Sequence, residues 1–341
     1  MYFDIAMPLT LFSVTMVAMF LNNKVEKKLK MTFEEREFGV KNAVMLVAAI
    51  SVAVSLMVFV PQMAVMTIFL LAYAALLFIF TYIFSDLRKI KAQFFCAAFL
   101  IISFIAATVS LFSVDALGGL SAYGAAAFYC LFGFSFLSLA YEETKTRAGR
   151  RWYLAALPST LFIILYAFYS RSPIWFPYLL NMYGVVFAVL VILYLGALFT
   201  WKTTLIFAGL LTVADIILVL VTGTMVSAAT HVSGLRLPVL VILPTVPAIT
   251  TSWGKLYMSL GLGDFFFAGL IAVQTYKKYG RQFAVLSAVA MAVSFFIFEA
   301  LILTFKLRAF PGTLMIICGW LPLPLLKFLK SNKICSVNQI L

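Results

Sequence analysis

Residues 203–227 read TTLIFAGLLTVADIILVLVTGTMVS. A helical span across a bilayer core needs about 20 such residues. The run is continuous rather than alternating, which disfavours a transmembrane barrel. Its one ionisable side chain, Asp215, sits close to its centre. Working outward, ten further apolar runs follow the same rule, at 5–21, 43–61, 63–84, 94–113, 121–141, 153–170, 176–200, 256–276, 281–305 and 310–329. Over the full 341 residues the chain is 65% hydrophobic and 11% charged, with a mean hydropathy of +1.10. Soluble domains are nearer half apolar and a quarter charged. A soluble enzyme, a disordered chain and a disulfide scaffold are therefore excluded. The expected fold is an all-α polytopic membrane protein of about eleven transmembrane helices.

The net charge of +13 has its own explanation. Lys and Arg collect in cytoplasmic loops. With eleven spans, one alternate set of loops holds 20 of the 25 basic residues and the other set 5. The orientation that follows is N-terminus out and C-terminus in. Merging 43–84 across Pro61-Gln62 would destroy that separation. The basic balance thus marks a lipid bilayer and not a nucleic acid as partner. No basic stretch precedes the first run, so a cleaved signal peptide is not expected. Cys96, Cys130, Cys318 and Cys335 are scattered, and His231 stands alone, so no metal site and no cofactor are expected.

Nine of the twelve acidic residues fall in loops or at the N-terminus; Asp215, Asp264 and Glu299 lie inside apolar runs. Ionisable groups at bilayer depth are costly and are functional candidates by default. Measured along ideal helices, Asp215 lies about 18 Å and Asp264 about 12 Å from the outer face. Modest tilt brings them level, on spans adjacent in sequence. Two carboxyls a few ångströms apart share a proton and titrate as a unit. One then serves as general base on water while the other polarises a carbonyl. That is peptide hydrolysis without metal or covalent intermediate. The same residues also suit a proton or ion relay, or plain hydrogen bonds between helices. Glu299, near Lys306 and Arg308, reads as snorkelling to an interfacial ion pair.

The residues around the aspartates carry a resemblance. Gly261-Leu262-Gly263-Asp264 matches the Gly-x-Gly-Asp signature of the presenilin and signal peptide peptidase family of intramembrane aspartyl proteases. Asp215, followed by Val219, Thr222-Gly223-Thr224 and Met225, falls where that family has the aspartate of its Tyr-Asp motif. The stretch 237–244, which includes Leu240, Val241 and Ile242, resembles the short apolar segment ahead of the Gly-x-Gly-Asp span. Pro311-Gly312-Thr313-Leu314 occupies the place of the family's Pro-Ala-Leu motif, and Pro322-Leu323-Pro324-Leu325 is a second candidate for it. The departures are Ala214 for the usual tyrosine and Gly312-Thr313 for Ala-Leu. The likeness covers about residues 121–330 and is that of a divergent, prokaryotic-type presenilin homologue. It implies a nine-helix core plus an extra N-terminal pair of helices, with residues 1–84 as N-terminal transmembrane helices that include this extension and 85–341 as the aspartyl protease membrane domain. It further implies an Asp215/Asp264 dyad and transmembrane helical peptides as substrates. With the N-terminus out, these are signal-peptide remnants or type II anchors in the cell membrane.

Each motif also has a physical reading. Gly261 and Gly263 remove side chains beside Asp264, for close backbone approach or for helix packing. Residues 237–243 are too short to span and read as extended. Such a segment could bind an unwound substrate by strand addition, or be an ordinary outer loop. Pro311 opens a helix, and Gly312 beside it would leave backbone near the site. Two other functions fit the composition: a secondary transporter using the aspartates as a cation site, and a non-catalytic scaffold of the same fold.

Overall fold

The computed structural model describes residues 2–32, 37–112, 121–145, 149–251, 254–307, 309–327 and 329. Among them, nine helices are long and apolar enough to cross a membrane. They are α1 (Ala6–Thr32), α2 (Val40–Met57), α3 (Gln62–Ile83), α4 (Lys89–Phe112), α5 (Ser121–Thr144), α6 (Trp152–Tyr169), the stretch Trp175–Gly196 with α7 (Leu180–Gly196) as its body, the stretch Trp201–Val221 beginning as α8 (Trp201–Ile216), and α11 (Arg281–Phe305). The chain is thus a multi-pass membrane protein. Two further expected spans correspond to α10 (Leu262–Tyr279) and to α12 (Gly312–Trp320), whose helix resumes after Leu321 to reach Lys327.

The helices fall into two compact units. One unit comprises Pro61–Tyr183 and Gly234–Pro238, so the residue 84/85 boundary drawn from the sequence lies inside it. Here α4 packs on α5 and α3 on α6, around buried Phe128, Leu131, Leu154 and Leu157. A buried ion pair closes one end. Arg151 donates from Nε to both Glu142 oxygens, at 2.9 and 2.8 Å, and from Nη2 at 2.7 Å. Its Nη1 reaches the Leu87 carbonyl at 2.7 Å, and the Tyr153 hydroxyl completes the glutamate's shell. A buried pair of this kind is tolerable because its remaining donors and acceptors are satisfied.

The other unit gathers Met1–Val60, Gly184–Ser233 and Val239–Leu341. Its centre is α10, buried at nearly every position from Leu262 to Thr275 and packed by α1, α8, α11 and α12. Small residues allow the approach. A Cβ at Gly269 would lie 2.6 Å from Ile192 Cγ1, and one at Gly319 would lie 2.7 Å from Ser294 Cβ. Gln274 Nε2 donates to the carbonyls of Gly196 and Phe199, at 3.0 and 2.7 Å. Gly280, at φ 86°, turns α10 into α11.

Several boundaries differ from the sequence reading. The first span runs on to Thr32 instead of ending at 21, because Asn22, Glu26 and Lys30 pair at helical spacing and Lys277 adds a 2.7 Å ion pair to Glu26. The run 203–227 is not one helix. It loosens into a π-helical turn at Ile217–Val221, breaks at Gly223 with φ 66°, and resumes as α9 (Thr224–Ser233). Thr222 and Thr224 bond each other's hydroxyls across the break at 2.9 Å.

The largest correction concerns 256–276. Its first residues are strand, not helix. β1 (Leu240–Pro244) pairs antiparallel with β4 (Tyr257–Gly261), from Leu240 opposite Gly261 to Pro244 opposite Tyr257. A shorter pair, β2 (Thr250–Thr251) and β3 (Gly254–Lys255), lies between them. Glycines at 261 and 263 are poor helix formers, and an extended segment at 240–244 is at hand to pair with. The helix therefore begins only at Leu262, and Asp264 sits in its first turn.

Candidate functional site

The site lies wholly within the second of these units. Asp215 comes from the last turn of α8, which a reciprocal Thr200–Thr203 capping box starts. It is 8% exposed. Asp264 is the third residue of α10, where an acid can turn back on the helix start. Its carboxylate lies against the Gly261 backbone, and a Cβ at Gly261 would be 3.3 Å from its Oδ2.

The start of α12 joins the two. Pro311 stands at its N-cap and offers no capping side chain, so the first N–H groups of the helix need another acceptor. Asp215 supplies it. The Thr313 N–H donates to Asp215 Oδ2 at 3.3 Å, and the Thr313 hydroxyl donates to the same oxygen at 2.6 Å. One residue earlier, Gly312 faces Asp264, and a Cβ built there would lie 2.6 Å from the Asp264 Cγ. Consecutive residues of one motif thus touch the two aspartates, which are electrostatic neighbours. The competing Pro322-Leu323-Pro324-Leu325 motif falls in the next helical stretch; of the two motifs, it is the first, through Gly312 and Thr313, that meets the aspartates.

A cavity of about 930 Å³ opens on this arrangement. Leu240, Gly261, Asp264 and Gly312 line it, together with Phe295 and Met315. Asp215 is not in the lining; it stands behind the first turn of α12. The remaining residues singled out from the sequence are distributed around this core. Leu262 is buried, and its N–H donates to the Val239 carbonyl at 3.0 Å. Val241 is fully buried, its Cγ2 3.1 Å from where a Gly184 Cβ would be, so it anchors β1 to α7. Ile242 and Leu314 are half-buried and outside the cavity lining, and Pro311 is buried. A Cβ at Gly263 would meet nothing within 4 Å. The close approach is at Gly312, with Gly261 tighter than Gly263.

Glu299 departs most from expectation. It does not snorkel. It is 1% exposed, and neither carboxylate oxygen has a hydrogen-bond partner. No ion pair to Lys306 forms among the described residues, and Arg308 lies outside them. Its side chain lines the same cavity as Asp264. Asp4, counted from the sequence only as an acid at the N-terminus, is fully buried. Asp4 accepts from the N–H groups of Ala6 at 3.0 Å, Met7 at 3.2 Å and Val246 at 2.7 Å. It caps α1 and fastens the residues after β1 to it. An acid two residues ahead of a helix start was the signal for that role.

No protein-family model matches the chain, and no curated protein matches it.

Proposed function

We propose that this protein is an intramembrane aspartyl endopeptidase, with Asp215 and Asp264 as its dyad. The observation that carries the reading is the contact of Gly312 with Asp264 and of Thr313 with Asp215. Two carboxyls brought against consecutive residues of one helix start can act on water together. One carboxylate takes a proton from water as it attacks the scissile carbonyl. The other, protonated, donates to the developing oxyanion. Collapse of the tetrahedral intermediate expels the amine, which takes up a proton as it leaves.

The substrate is a transmembrane helical peptide. Its scissile carbonyl becomes reachable only after local unwinding, which exposes polar backbone that has to be bonded. The two-stranded β1–β4 sheet ends at Gly261, three residues before Asp264, and strand addition to it would supply those bonds. The eleven-span topology with the N-terminus out makes the substrates signal-peptide remnants or type II anchors of the cell membrane. Residues 1–60 pack within the unit that carries the dyad, which fits a supporting extension rather than a separate module.

A cation-coupled transporter is the competing reading, favoured by the helix break at Gly223 and by three intramembrane carboxyls in one unit. The test is reconstitution in liposomes with a labelled signal-peptide span, reading products by mass spectrometry. Wild type cuts within the apolar stretch, and Asp264→Asn and Asp215→Asn do not. Cleavage that survives either substitution overturns the dyad. Cleavage only of substrates in the reversed orientation overturns the topology. Cation-driven uptake without cleavage selects the transporter.

A further inference from the structure

Glu299 is a carboxyl group that the dyad does not use. The residue lines a largely apolar cavity, and its two oxygens are buried and bond to nothing in the protein. Buried polar groups are nearly always paired, and an exception calls for a physical reason. The nearest charged neighbours do not supply one. Asp4 is a second acid, already saturated by three backbone N–H groups. Lys306 also lines the cavity but is solvent-exposed, just past the end of α11 in a left-handed conformation. It lies seven residues on, about 10 Å along the helix axis. Tyr2, Thr230, Ser233, Thr250, Tyr257 and Ser259 also line the cavity. Two buried acids thus lie close together at this end of the cavity, and Glu299, when ionised, can only accept hydrogen bonds.

We propose that Glu299 is a specificity-determining residue that receives a basic side chain of the peptide substrate, a Lys or Arg placed on one side of the bond to be cut. This rests on the peptidase reading for the identity of the ligand. The pairing of Glu299 with a cation in the cavity stands apart from it. A Lys in an otherwise apolar span is costly by itself, and a carboxylate inside the protein removes that cost on binding. Glu299 and Asp264 line one cavity, so an anchored Lys would fix the register in which the span meets the dyad.

The experiment uses full-length protein in liposomes and a set of single-span peptides. Each carries one Lys at successive positions, beside a norleucine control at the same position. Binding is measured on Asp264→Asn, where no cleavage is needed, with and without Glu299→Gln. Cleavage is measured on wild type and on Glu299→Gln alone. One Lys position is expected to bind and be cut about tenfold better than norleucine. That ratio should fall to about one in Glu299→Gln, and Glu299→Lys should transfer the preference to a Glu peptide. The ratio compares peptides on the same protein preparation, so a general loss of folded protein does not imitate it. No Lys preference in the wild type, or the same preference in Glu299→Gln, overturns the assignment while leaving cleavage intact. Binding preference abolished by Glu299→Gln without cleavage of any peptide overturns the peptidase and keeps the cation site.

Discussion

The Thr313 hydroxyl sits 2.6 Å from Oδ2 of Asp215 and donates to it, while the Thr313 N–H donates to the same oxygen. A side chain from the start of α12 thereby fixes the rotamer of an acid on α8. Removing the hydroxyl leaves a buried carboxyl short of a donor, worth about 1–3 kcal/mol. Thr313→Val is expected to lower kcat by about tenfold or more, and Thr313→Ser to restore most of it. Equal loss in both variants would show that the methyl group, and not the hydroxyl, is what matters.

Gly312→Ala places a carbon against the Asp264 carboxyl group. The carboxyl has to turn away or α12 has to shift, and overpacking of this kind costs about 1–3 kcal/mol. Cleavage should fall at least as far as in Thr313→Val. Gly263→Ala meets open space, so its effect should be confined to the substrate and appear in KM. Kinetics on the two alanine variants side by side decide the matter.

Arg151→Met strands Glu142 in the other unit without its ion pair. Breaking one side of a buried pair costs about 3–5 kcal/mol, and replacing both sides costs far less. Thermal unfolding in detergent should show a large drop in Tm for Arg151→Met and a partial recovery for Arg151→Met with Glu142→Gln. A double variant no better than the single would place the damage in the lost Nη1 bonds to the Ser85 and Leu87 carbonyls instead.

Asp4→Ala removes the cap of α1 and its bond to the Val246 N–H. The loss is expected at about 1 kcal/mol for the cap, with faster proteolysis in the segment between β1 and β4. Asp4→Asn should retain most of the cap, because asparagine caps nearly as well. Limited proteolysis of the three proteins measures the difference directly.

What the sequence made legible was what lipid demands of it. Runs of apolar residues have no other use, so the helices from α2 to α6 and α11 lie close to where hydropathy puts them. The two aspartates stood out because nothing nearby in sequence neutralises them. Hydropathy could not say where helix gives way to strand. Tyr257–Gly261 is as apolar as the helix it precedes, and only pairing with Leu240–Pro244 decides its conformation. Nor could it separate Glu299 beside a lysine in sequence from Glu299 paired to that lysine. That distinction depends on packing, and Glu299 is buried beside a cavity formed by residues distant in the chain. The roles of Gly312 and Thr313 were hidden for the same reason: each acts on a residue from another helix.

The burial of α10 also bears on how the protein is made. Helix 262–279 is not among the nine apolar enough to cross a membrane unaided, and its residues from Leu262 to Thr275 meet protein on nearly every side. A translocon sorts segments by their apolarity, so this one would not leave the channel for lipid by itself. Gly280 joins it directly to the much more apolar helix 281–305. The two would therefore insert as a hairpin, with the second drawing in the first. The helix that bears Asp264 would enter the bilayer late and only as part of an assembled bundle.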